Sequence, residues 1–181
     1  VPDKSSDEFY VARREAAATS ALDRPPVSIY IRGMTDEPQR ILPTGSLIPP
    51  DLNEQMVAAV VSAFYAKARR DDVIGPVFDR VVAPENWPHH IQTITDFWSS
   101  MLLGTRRYVG RPMPKHLAIP ELSDEHFQRW LTLFRETAEE ICPPHIAALF
   151  VDRAQRVGYN FRIRIAQFRG QDATTVRTQQ A

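Results

Sequence analysis

One cysteine, Cys142, stands in 181 residues, so no disulfide can form within the chain and a reducing cytoplasm is the expected setting. Glycine is scarce, and no glycine-rich loop of the kind that cradles phosphate occurs. HExxH zinc helices, paired-cysteine zinc spacings and CxxCH attachment motifs are also missing. Neither charge sign is in excess: 22 Lys plus Arg balance 22 Asp plus Glu, which leaves no global field to attract nucleic acid or an anionic membrane. The longest uncharged runs, such as Met56 to Tyr65, fall well short of the roughly 20 apolar residues that cross a bilayer. The opening VPDKSSDEFY carries acids where a signal peptide needs a basic start and an apolar core, so no signal peptide is expected. No catalytic constellation emerges either. Acidic pairs such as Glu139-Glu140 fall on a polar helix face, and Cys142 reads as an inert thiol.

What remains is the makeup of an ordinary globular domain, 43% apolar and 24% charged, long enough for one core. Residues 1–50 hold seven of the fifteen prolines and little apolar periodicity, and read as a largely disordered extension. Order is expected over 51–168. A helix capped by Asp51 or Asn53 carries Met56, Val57, Val60, Val61, Phe64 and Tyr65 at helical spacing. A short apolar turn follows at Val77 to Val82. The next helix, from Glu85–Pro88 to Gly104, offers a face of Trp87, His90, Ile91, Ile94, Phe97, Trp98, Met101 and Leu102. Prolines allow only a brief helix around His116. Ser123 opens a further helix, Pro143-Pro144 breaks it, and a last stripe runs through Ile146, Phe150, Ala154, Val157, Phe161, Ile165 and Phe168. From residue 169 the tail is polar and reads as disordered. The class is all-α, with four substantial helices, a short fifth and no strand.

Two histidines about twenty-five residues apart flank an apolar helix. His90 shares a helical face with Ile94 and Trp98, whereas His89 points about 100° away. His126 and His145 sit among polar or helix-start residues and are expected at the surface. A histidine on an apolar face is more often a hydrogen-bonded core residue than a ligand, and His116 alone is equally ambiguous. Tyr65 and Trp130 add donors on two other apolar faces. They either cap the core locally or converge with His90 on one small polar ligand; spacing does not choose between the two.

The segments FYAKARRDDVIGPVF (64–78), WPHH (87–90), DFWSSMLLGTRRYVGRPMPKHLAIP (96–120) and FQRWLTLFRET (127–137) resemble, in order and register, the group III truncated haemoglobins of bacteria. The likeness runs from about residue 52 to 168. It implies a two-over-two helical globin fold around haem b, with His116 as the proximal ligand to iron. Tyr65, His90 and Trp130 would line the distal side, Phe78 would pack on the porphyrin, and Ile94 and Trp98 would extend the wall. Lys115, Arg107 or Arg111 would neutralise the propionates.

The resemblance implies a haem protein that binds oxygen, nitric oxide or carbon monoxide, in the broad class of oxygen transport. Donors aimed at the ligand argue for slow release and a poor carrier. The alternative is a haem enzyme, a nitric oxide dioxygenase or peroxidase-like oxidant fed by an external electron donor. A haem-free helical interaction module is the third possibility.

Overall fold

The computed structural model describes residues 40–42 and 45–176. Six helices dominate: α1 (Glu54–Ala68), α2 (Gly75–Val81), α3 (Trp87–Leu103), α4 (Pro112–Leu117), α5 (Asp124–Ile141) and α6 (Pro144–Phe168). No helix among the described residues is long and apolar enough to cross a membrane.

Local chemistry sets the boundaries. Asn53 starts α1, its side-chain oxygen accepting from the Met56 N–H at 2.9 Å. After α1 the Asp71 carboxylate accepts from the N–H groups of Val73 and Ile74, each at 3.1 Å, and turns the chain into α2. Gly75 fits closely at that turn, where a Cβ would lie 3.1 Å from the Arg69 carbonyl oxygen and the backbone would have to give by a few tenths of an ångström. Gly104 ends α3 in the left-handed region at φ 70°. Pro112 occupies the first turn of α4, where a missing N–H costs nothing. Pro143-Pro144 forces the break between α5 and α6.

α5 packs against α6 and α1, and α1 crosses α3. Their shared core holds Val57, Val60, Val61 and Phe64 from α1, Trp98 and Leu102 from α3, Phe134 and Ala138 from α5, and Ile146 and Phe150 from α6. Phe64, Phe134 and Phe150 are almost fully buried. Each contributes roughly 1.5–3 kcal/mol by leaving water. A second apolar cluster of Val77, Leu122, Phe127 and Ile165 lies beneath α4, with Leu117, Ile119 and Phe161 against it.

The all-α expectation holds, with additions at both ends. A two-residue antiparallel ladder pairs β1 (Arg40–Ile41) with β2 (Leu47–Ile48), Arg40 opposite Ile48 and Ile41 opposite Leu47. Leu42 and Ile48 enter the core, and the Arg40 guanidinium donates to the Leu52 carbonyl at 2.8 Å. Order therefore begins earlier than proline content suggests, on strands too short to show periodicity. At the other end Arg169 donates to the carbonyls of Leu122 (2.7 Å) and Ile119 (2.9 Å), and a 3-10 turn follows at Ala173–Thr175. The disorder expected for 1–39 and 177–181 lies outside the described residues.

Candidate functional site

A cavity of about 660 Å³ opens between the helices and is lined mostly by apolar side chains. That size falls in the range of roughly 300–1,000 Å³ typical of sites that enclose a cofactor or drug-sized ligand. Eight of the ten residues singled out from sequence line it: Tyr65, Phe78, His90, Ile94, Trp98, Lys115, His116 and Trp130. They come from five helices, so only the packed fold assembles them.

One side is an aromatic cluster. The Tyr65 ring meets His90 edge-on at 5.3 Å between centroids, Phe78 at 5.4 Å and Trp87 at 6.0 Å. Burial pushes the Tyr65 phenol well above its ordinary range, so it stays protonated and remains a donor. His90 carries an Nε2 that is buried with no hydrogen-bond partner among the described residues. Burial, reinforced by the charge of Lys115, lowers its proton affinity and keeps the ring neutral. An orphaned ring nitrogen in an apolar setting costs free energy unless a ligand meets it. Trp130 stacks on Phe134 at 5.2 Å, and its indole is a donor only.

His116 approaches from α4. Its Nδ1 lies 2.8 Å from the carbonyl oxygen of Pro112, one turn back. A carbonyl can only accept, so Nδ1 holds the proton and Nε2 is left with its lone pair. Burial lowers the proton affinity of the ring further, against the opposing effect of the Pro112 bond. Phe161 of α6 stacks on the imidazole at 4.4 Å and 26°, fixing its plane. A neutral, oriented imidazole backed by a carbonyl is the form in which histidine binds a metal.

The bacterial-like globin family model matches residues 52–148. The group 3 truncated hemoglobin ctb of Campylobacter jejuni is 32% identical over 121 residues, which are 66% of this chain and 95% of that protein. The crystal structure of the group III truncated hemoglobin from Campylobacter jejuni aligns with a TM-score of 0.61 at 32% identity, over 64% of this chain and 93% of the other. The chain belongs to the group III truncated haemoglobins.

Membership makes it a haem- and gas-binding globin with the truncated, two-over-two fold. The residues of this globin fit that cofactor: an apolar slot, one imidazole with a free lone pair, and an orphaned Nε2 in the same space.

Arg107, expected from sequence to meet a propionate, does not line the cavity. It pairs with Glu54 at 2.6 Å and Asp96 at 3.1 Å, and donates to the Ser99 hydroxyl at 3.0 Å. That hydroxyl is fully buried and also bonds Glu54 (2.8 Å) and Thr105 (2.9 Å), tying the link after α3 to the start of α1. Arg111 is exposed and does not line the cavity either.

Among the lining residues that the sequence does not single out for the site, Phe161, Tyr108 and His126 matter most. Spacing puts Phe161 on the core stripe of α6, and its ring also lines the cavity. Tyr108 lines the cavity with its N–H held by the Ser100 hydroxyl at 2.9 Å, and its ring lies over Gly110, where a Cβ would sit 2.5 Å from it. His126, expected at the surface, is half-buried and lines the cavity. Its acidic neighbours in sequence pointed outward, but its spacing of four from Trp130 was the signal that it shares the inward face. The expectation for His89 and His145 holds, since both are exposed.

Proposed function

We propose that this globin encloses haem b with His116 as the axial ligand, and that it binds oxygen and other diatomic gases between Tyr65, His90 and Trp130. The observation that carries the reading is the His116–Pro112 hydrogen bond, which leaves a lone pair on the ring nitrogen available to iron. Haem held there would supply a ferrous iron able to take one diatomic molecule.

The chain's own residues do the rest. Phe78, Ile94 and Trp98 give the slot apolar walls that exclude water and strengthen every polar contact inside. Lys115 is the lining cation suited to an acidic edge of the cofactor, whereas the charge of Arg107 is taken up by Glu54 and Asp96. The Tyr65 phenol and the Trp130 indole donate at any physiological pH, and neutral His90 adds an unsatisfied nitrogen. Together they favour a gas that acquires negative charge on binding. Absorption spectra of the protein loaded with hemin, in ferric, ferrous and oxygenated forms, test the reading. A protein that stays colourless after hemin is added refutes it.

Three polar groups in one cavity also favour a second reading, a haem enzyme acting as a nitric oxide dioxygenase or peroxidase-like oxidant, because the same donors polarise an oxidant. That role needs an external electron donor. Sustained nitric oxide consumption with a supplied reductant supports it; a single stoichiometric reaction supports gas binding alone.

A further inference from the structure

We propose that His126 donates a hydrogen bond from Nε2 to a carboxylate of the group held in the cavity, which on the haem reading above is a propionate. The argument starts from its other nitrogen. The backbone N–H of Ser123 points at Nδ1 of His126 at 3.1 Å, and the Ser123 hydroxyl lies 2.6 Å from the same atom. A backbone N–H can only donate, so Nδ1 accepts and the proton of the neutral ring sits on Nε2. His116 is locked the other way, with its proton on Nδ1. The cavity thus holds one histidine with a lone pair for a metal and another that offers only a donor.

His126 and Trp130 lie four apart on α5, so their rings leave the same side of the helix, and both line the cavity. Around His126 the lining is apolar, from Ile119, Leu122 and Phe127. The nearby acids are turned elsewhere: Asp124 pairs with Arg162 and accepts from Gln128. No described residue takes the Nε2 proton, which leaves it free to meet an acceptor on a ligand in the cavity. A carboxylate suits best, being the strongest neutral-pH acceptor a porphyrin carries.

Position three of a helix capped by serine ordinarily holds Glu or Gln, whose side chain reaches back to the cap N–H. That rule separates cap from donor. His126→Gln keeps the cap contact and a donor; His126→Glu keeps the cap contact but replaces the donor with a negative charge. The experiment measures the rate at which the full chain, loaded with hemin, surrenders it to an excess of a haem-scavenging apoprotein, alongside the melting temperature of each variant without hemin. The Gln variant is expected to stay near the parent rate, and the Glu variant to release hemin about tenfold faster or more, the size of losing one hydrogen bond to a charged group. Both should melt with the parent. With hemin dimethyl ester, which has no carboxylate, the Glu effect should vanish. Equal release by parent and Glu variant overturns the proposal, as does faster release by both variants in step with lower melting, which makes His126 a cap only. A parent protein that takes up no hemin overturns the haem reading as well, and its missing Soret band tells that failure apart.

Discussion

Tyr65→Phe isolates one donor with little disturbance. The phenol ring is the part that packs, edge-on to Phe64 at 5.0 Å and to Phe78, Trp87 and His90 at 5.4, 6.0 and 5.3 Å, and phenylalanine keeps every one of those contacts. The hydroxyl makes no hydrogen bond to any described residue, so removing it breaks nothing in the protein without ligand. Stability of that form should therefore change by less than about 1 kcal/mol. Once a gas is bound the hydroxyl gains an acceptor. A net hydrogen bond contributes about 0.5–1.5 kcal/mol, which converts to oxygen release roughly two- to twelvefold faster in the variant. Carbon monoxide accepts such a bond poorly and should be released at nearly the parent rate. Flash photolysis and stopped-flow displacement measure both. Oxygen release unchanged in the variant, or oxygen and carbon monoxide accelerated equally, refutes the claim that Tyr65 acts as a donor to the ligand.

Four further outcomes follow from the geometry. His116→Ala should abolish the Soret band while leaving the helical circular dichroism of the unloaded protein intact; unaltered hemin affinity rejects the ligand assignment. Arg107→Ala should leave hemin release unchanged, since its side chain faces Glu54 and Asp96 outside the cavity, and should lower stability by no more than about 1 kcal/mol for so exposed an ion pair. Burial works to raise the pKa of Asp71, but bonds from Arg129, Ile74 and Val73 outweigh it and hold the carboxyl below its usual range. A depressed folded pKa stabilises above the unfolded value near 4 and loses that stabilisation as pH falls through the folded one, so Asp71→Asn should cost about 1.5–3 kcal/mol in urea at neutral pH and less in acid. A penalty that grows on acidification contradicts the sign. Gly104→Ala, at φ 70°, should lower urea stability by about 1–2 kcal/mol.

Features governed by neighbours one turn away were legible in the sequence. Gly104 stops α3, Pro143-Pro144 separates α5 from α6, and the stripe of α6 buries Ile146, Phe150, Ala154 and Ile165 as its spacing requires. The stripe overreached only at its end: Phe168 is 67% exposed, since the helix outruns the core there. What spacing left open at His90, Tyr65 and Trp130 was tertiary, and the family likeness rather than periodicity joined them to His116. The errors share one cause. Ser99 carries no signal in an apolar pattern, yet it is fully buried, its hydroxyl donating a hydrogen bond to Glu54 forty-five positions earlier. Arg107 has the charge for a propionate, but two carboxylates from α1 and α3 claim it first. His126 looked solvated beside Asp124 and Glu125, although those acids leave the helix on other sides. A polar residue's role is set by which partner reaches it, and partners supplied by distant segments leave no periodic trace. The exception is instructive. Ser123 and His126 are three apart, close enough for their contact to be inferred from sequence, and a histidine at that capping position is odd unless its outer nitrogen has work in the cavity.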